Sequence, residues 1–150
     1  MTDKGFKNEL ARALARPDID QLRASLAAYY DWSVRNLGRQ TDDWPDELDF
    51  WFDQGRDSDR GLALVMLAAA SYDDPDFLAL VAAGLLENLL QKPTSELLQR
   101  VASEARKTAR FRWMLDVPFR HAITPDARSV IDDAVGDMDC DGPLPPRPWA

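Results

Sequence analysis

The chain has 150 residues, of which 45% are hydrophobic and 9% aromatic, a composition that excludes a mainly disordered protein and suits one domain. Its formal net charge of −8 argues against binding nucleic acid through a broadly basic surface. Cys140 is the only cysteine, so no internal disulfide bond can form, and the first residues contain no apolar run typical of a signal peptide. We therefore expect a cytoplasmic protein that does not bind nucleic acid or membranes.

The first third of the chain is predicted to contain three helices. Apolar residues at helical spacing indicate a first helix over 3–16, which Pro17 ends, and a second helix over 19–37, which Gly38 ends. A short third helix is predicted over 44–54, because a proline next to its start suits the first helical turn.

Two uncharged segments, 61–70 and 77–86, lie back to back in the middle of the chain. Each is too long for an ordinary strand and far shorter than the roughly 20 apolar residues that cross a bilayer. Helices that are apolar on most of their circumference are buried. We therefore predict a buried helical hairpin over 58–90, with Asp74-Pro75-Asp76 as the start of its second helix.

Three more helical segments are predicted after the hairpin. Thr94 or Ser95 is a suitable N-cap for a sixth helix, and a seventh segment over 109–115 continues that helix or follows a bend. Thr124, which precedes a proline and an aspartate, is a suitable cap for a last helix that runs to about Val135.

These signals predict a single all-α domain over residues 1–136, a bundle of seven to eight helices around the central hairpin at 58–90. Residues 137–150 carry four prolines among acidic residues. Such a composition favours irregular structure, so we predict that this segment is an acidic, irregular tail.

Few residues of the chain are suited to catalysis or metal binding. The sequence at 137–142, DMDCDG, reproduces the first half of a calcium loop, but prolines occupy the second half. His121 is the only histidine and Cys140 the only cysteine, so a zinc site or a nucleophile with its base would lack partners. We therefore expect no metal, no cofactor and no enzymatic activity.

A candidate polar site without a metal or a nucleophile is formed by charged residues at the end of the hairpin and in the segment that follows it. Glu87 lies in an otherwise apolar helix. Arg106 and Arg110 lie four residues apart, so we expect them to share a helix face, where like charges repel each other. Together with Glu104, these residues form a site for a small ligand or a reaction under one interpretation. Under the other, Glu87 pairs with an arginine as a structural anchor and the two arginines lie on a solvated face.

The charge of the chain is polarised along the sequence. Between residues 42 and 59 there are eight acidic residues and one basic residue, whereas between 92 and 112 there are six basic and two acidic residues. Acidic residues speed the encounter with a basic partner, and aromatic residues such as those in the acid-rich segment often anchor interfaces. The expected contact residues are Asp42, Asp43, Trp44, Asp46, Glu47, Asp49 and Asp53. The alternative is that Trp51 and Phe52 fill the core and the acids maintain solubility.

The sequence of residues 80–90, LVAAGLLENLL, resembles the hallmark of an uncharacterised family of small all-helical bacterial domains, whose helix has the pattern AAGPLE-x-LL. Residues 104–115, EARKTARFRWML, resemble a second pattern of that family, E-A-x-x-x-x-x-FR-x-x-L. Leu85 stands where the family has proline. The resemblance covers about residues 60–116 and implies an all-α domain but no reaction. The residues it singles out are Gly84, Glu87 and Glu104.

The most concrete function favoured by these features is that of an immunity protein that binds and neutralises a toxin. Toxins that act on nucleic acids are often basic, so an acidic inhibitor has a physical rationale. A small-ligand binder or enzyme is one alternative, and a structural adaptor or oligomer subunit is another. The sequence does not determine the oligomeric state.

Overall fold

The computed structural model describes residues 7–35, 57–118 and 120–147 of the chain. These residues form helices joined by short turns, with no strand among them, and the predicted single all-α domain is confirmed. The helices are α1 (Glu9–Leu14), α2 (Ile19–Arg35), α3 (Ser58–Ser71), α4 (Pro75–Val81), α5 (Glu87–Leu89), α6 (Ser95–Lys107), α7 (Ala109–Leu115) and α8 (Pro125–Val135). A π-helical turn spans Ala82–Leu86 and a 3₁₀ turn spans Arg120–Ala122.

Helix α3 lies at the centre of the core. It begins after Asp57, whose side chain accepts a hydrogen bond from the backbone N–H of Arg60. Nine consecutive residues, 61–69, are buried, so every side of this part of the helix is covered. Helices α1, α2, α4, α5 and α7 and the π turn all pack against it. The first half of the predicted hairpin is therefore the buried centre of the molecule.

The second half of the hairpin begins at the predicted signal. The Asp74 side chain accepts hydrogen bonds from the N–H groups of Asp76 and Phe77, and Pro75 occupies the first turn. Helix α4, the π turn and α5 follow one another without an interruption of the helical backbone. Gly84 lies inside the π turn, and a Cβ atom built on it would have no neighbour within 4 Å.

The later helices begin at the predicted caps. Thr94 accepts the N–H of Leu97 at the start of α6, and Thr124 accepts the N–H of Ala127 at the start of α8. The segment over 109–115 is a separate helix, because Thr108 adopts an extended backbone with φ −130° and ψ 107°.

The residues after α8 form no helix or strand as far as Arg147. They nevertheless lie along the folded domain. Leu144 packs against the core, the Trp113 indole donates a hydrogen bond to the Gly142 carbonyl at 3.1 Å, and Arg147 pairs with Asp73 at 2.7 Å. The domain boundary that we predict before this segment stays a prediction.

Three sequence-based expectations fall at least partly on residues that the structure does not describe. The predicted helix over 44–54 lies wholly outside the described ranges, as do the predicted start of the first helix and the predicted end of the second. Among the helices that are described, none has the length and apolar character needed to cross a membrane.

Gly84 and Gly136 should respond in opposite directions to replacement by alanine. Gly84 lies in a helical segment with open space around its Cβ position, so Gly84→Ala should raise the free energy of unfolding by about 0.5–1 kcal/mol. Gly136 has a positive φ of 57°, so Gly136→Ala should lower it by about 1–2 kcal/mol. Urea denaturation measures both changes. A loss of stability in Gly84→Ala would contradict the open helical environment of Gly84.

Candidate functional site

A polar groove lies between the start of α1 and one face of α6, with a volume of about 280 Å³. From α6 it is lined by Glu96, Gln99, Arg100, Ser103, Glu104 and Lys107, and from the beginning of the described chain by Lys7, Asn8, Glu9 and Arg12. The lining positions of α6 recur at spacings of three and four residues, which places them on one face of the helix. The neighbouring face of the helix carries the buried residues Leu97, Val101 and Ala105.

The side chain of Glu104, on α6, forms a hydrogen bond with α1 beside this groove. Its side chain is buried, with 2% exposure. One carboxylate oxygen accepts the backbone N–H of Glu9 at 2.9 Å, and the other accepts the hydroxyl of Thr108. The first bond satisfies an amide at the start of α1 that has no partner within its own helix. Glu104, which the sequence places in the hypothetical polar site, therefore has a clear structural role.

Arg100 and Asp59 are the centre of an ionic network that joins α1, α3 and α6. Arg100 donates two hydrogen bonds to the Glu9 carboxylate, at 2.7 and 3.0 Å, and one to Asp59 at 2.8 Å. Asp59 also accepts a hydrogen bond from Arg12 at 3.0 Å and pairs with Arg16. Partial burial opposes ionisation of Asp59, but the hydrogen bonds from Arg100 and Arg12 outweigh burial and lower the pKa of the carboxyl group.

The two oppositely charged segments of the sequence thus neutralise each other in part. Asp59 belongs to the acid-rich segment and Arg100 to the basic one, and they form a direct ion pair. Asp57, also acid-rich, caps α3 and lies 3.8 Å from Arg16. The predicted binding residues lie outside the described residues: Asp42, Asp43, Trp44, Asp46, Glu47, Asp49 and Asp53.

Arg110 caps the opposite end of α3. Its guanidinium group, 3% exposed, donates hydrogen bonds to the carbonyl oxygens of Ala69 and Tyr72, both at 2.9 Å. It also donates to the Pro145 carbonyl at 2.9 Å and pairs with Asp73 at 3.0 Å. The last carbonyls of a helix lack helical partners and carry the negative end of its dipole, so a cation is favourable there. Arg110 therefore holds α3, α7 and the tail together.

The four residues of the hypothetical polar site are not gathered in one cavity of the described structure. Glu104 lines the groove, whereas Arg110 is buried at the end of α3 and Arg106 is exposed. The extended backbone at Thr108 separates the two arginines into different helices, so the expectation that they share a helix face is wrong. Glu87 is half-buried next to the π turn and does not line the groove.

A second polar cluster connects the tail to the end of α7. Asp116, Asp139 and Cys140 bring one potential ligand atom each within 4.8 Å of the others. Asp116 already accepts the Cys140 backbone N–H at 3.0 Å and a hydrogen bond from Arg120 at 3.1 Å. Burial, assisted by Asp116, raises the pKa of the Cys140 thiol to about 11, so the thiol is protonated near neutral pH. The cluster therefore serves to attach the tail.

Sequence reasoning missed the α1 half of the groove. One signal for the α6 half was present, since Glu96, Arg100 and Glu104 recur every four residues beside the apolar stripe. The contact between Glu104 and Glu9 joins residues 95 positions apart, and no local pattern indicates it.

The fold defines a single all-α domain with a polar groove between the start of α1 and α6. Residues 34–138, more than half of the chain, match a family of unknown function, DUF6869, and the chain belongs to that family. The matched region includes α3 to α8 and the acid-rich segment, but not α1. No curated protein and no solved structure matches the chain.

Replacing Arg110 by methionine should lower the free energy of unfolding by about 3 kcal/mol, because the buried carbonyls at the end of α3 would lose their donors. Arg106→Met is the matched control. Its side chain is exposed, so the change should stay within about 0.5 kcal/mol. Urea denaturation of both variants measures the difference, and equal effects would contradict the capping role of Arg110.

The ionic network should make stability depend on pH through Asp59. A carboxyl group with a lowered pKa in the folded state stabilises the fold above its unfolded pKa, near 3.8, and this contribution is lost as the pH falls below that value. The decline in melting temperature below about pH 4 should therefore be shallower in Asp59→Asn than in the wild type. Asp133→Asn, which removes an exposed carboxylate on α8, is the control. Parallel declines in wild type and Asp59→Asn would rule out the contribution of Asp59.

Proposed function

We propose that the protein is a non-catalytic protein-binding module, and most concretely an immunity protein that neutralises a basic toxin through its acid-rich segment. The observation that carries the proposal is the location of the charge. The chain has a net charge of −8, and six acidic residues and one arginine lie between residues 42 and 56. A concentrated charge of one sign accelerates association with an oppositely charged partner.

The ionic network beside α3 is compatible with this role. Arg16 pairs with Asp18 and Asp59, and Arg100 pairs with Glu9 and Asp59. These arginines lie close to Asp59, which is the last acid of the acid-rich segment and the second residue of α3. Because their charge is balanced by acids of the described structure, they add little net positive charge at that end of the segment.

The biological setting is part of the proposal. We infer that the AAGPLE-x-LL pattern, with Leu85 in place of proline, belongs to the family that residues 34–138 match, and that the protein is bacterial. A cytoplasmic location follows from the proposed role, since a toxin that acts on nucleic acid must be met where its target lies.

Two other functions have less support. An enzyme or ligand binder that uses Glu87, Glu104, Arg106 and Arg110 as one site would need these side chains to converge, and among the described residues only Glu104 lines the groove. A structural adaptor or oligomer subunit would self-associate. Sedimentation velocity separates a monomer from an obligate dimer and so tests the latter function.

Charge reversal in the acid-rich segment should abolish protection. The triple variant Asp46→Lys, Asp49→Lys, Asp53→Lys should associate with the toxin domain roughly 10–1000 times more slowly, because electrostatic steering is lost. The candidate toxin domain would be the C-terminal domain of a large secreted protein encoded next to the gene for this chain. The measurements are the association rate with that domain and the survival of a bacterial host that also expresses it.

A second triple variant, Asp133→Lys, Asp137→Lys, Asp141→Lys, is the matched control. It changes the net charge by the same amount at exposed positions of α8 and the tail. It should protect as the wild type does. If both variants protect equally well, the acid-rich segment is not the binding surface.

A further inference from the structure

The groove between α1 and α6 has two lysines at the same end. Lys107 lies three residues after Glu104 on α6, a spacing that places both on one helix face. Lys7 lies two residues before Glu9, whose backbone N–H is bonded to Glu104. Both lysines therefore lie next to Glu104, one on each wall of the groove. Glu96, eleven residues before Lys107, lies about 16 Å away along the axis of α6.

The other charged groups at this end already have partners. Arg100 is bonded to Glu9 and Asp59. Both carboxylate oxygens of Glu104 accept hydrogen bonds, but from the neutral Glu9 amide and the neutral Thr108 hydroxyl. Lys7 and Lys107 are exposed, and neither forms an ion pair with another residue of the described structure. Among the described residues, this end of the groove therefore has two lysines beside the single carboxylate of Glu104, which leaves one excess positive charge in a chain whose net charge is strongly negative.

We propose that this end of the groove binds a small dianion, of the carboxylate or phosphate type, between Lys7 and Lys107. The Ser103 hydroxyl, which also lines the groove, is a neutral donor for the same ligand. The two ammonium groups supply the charge, and the concave wall reduces the water that screens it.

The size and polarity of the groove limit the ligand. Its volume of about 280 Å³ is close to the lower end of small-molecule sites, which span roughly 300–1000 Å³. An extended polyanion would also have to pass the Glu96 carboxylate at the far end. These features favour a compact ligand with two negative charges and exclude a nucleic-acid strand.

An NMR titration of the full chain with inorganic phosphate tests the proposal, and a parallel titration with succinate separates phosphate from dicarboxylate recognition. Both are made at a constant ionic strength of about 0.15 M, so that screening does not change. We expect saturable shifts of the Lys7, Ser103 and Lys107 amide signals in the wild type with at least one ligand. No saturable shift at these amides with either ligand would overturn the proposal.

Paired variants give an independent readout. Lys7→Gln/Lys107→Gln should weaken binding by about tenfold or more, because two ionic contacts are lost. Lys92→Gln/Arg106→Gln removes two exposed positive charges outside the groove and should weaken binding less than about twofold. Equal weakening in the two variants would show that net charge, and not the groove, governs binding.

The groove and the acid-rich segment can be tested separately. The triple variant Asp46→Lys, Asp49→Lys, Asp53→Lys should bind the dianion with the affinity of the wild type even where it loses protection, because it changes none of the described residues that line the groove. A loss of dianion binding in this variant would place the ligand site elsewhere.

Discussion

The complete burial of α3 is the constraint on which the rest of the structure depends. A helix with nine consecutive buried residues, 61–69, has no face for water, so the polar groups at its ends need partners from other parts of the chain. At its start Asp57 caps the backbone and Asp59 provides an acid near the positive end of the dipole. At its end Arg110 donates to two carbonyl groups. The ionic network around Asp59 and the hydrogen bonds of Arg110 therefore lie at the two ends of the same helix.

The groove is a consequence of how the first of these ends is satisfied. Asp59 is partly buried and charged, so it needs cations close by, and Arg12 from α1 and Arg100 from α6 provide them. Two helices that approach each other through charged side chains cannot pack as closely as helices that meet through small apolar ones. Glu104 and Glu9 complete the contact through a backbone N–H and a second ion pair. The space above these pairs is the groove.

The parts of the fold that could be predicted from the sequence are those that local interactions determine. The caps at Asp74, Thr94 and Thr124 bond to amides two or three residues away, so their pattern is visible in a short window. Arg110 bonds to a carbonyl 41 residues away, and no local pattern indicates that partner. The expectation that Arg106 and Arg110 share a helix face is wrong for a similar reason. The Thr108 hydroxyl donates a hydrogen bond to Glu104, and the Thr108 backbone is extended, so α6 ends between the two arginines. A spacing of four residues therefore does not place them on one face.

The two proposed binding surfaces differ in how they relate to the family. The acid-rich segment and α6 lie within residues 34–138, the region that the family match covers, whereas Lys7 and α1 lie before it. A chain that consisted of the matched region alone would retain the α6 wall of the groove. It would lack the amide that bonds to Glu104 and the carboxylate that pairs with Arg100, so two charged side chains would lose partners that they have here. The acid-rich segment therefore lies inside the matched region, whereas the groove depends on α1, which precedes that region.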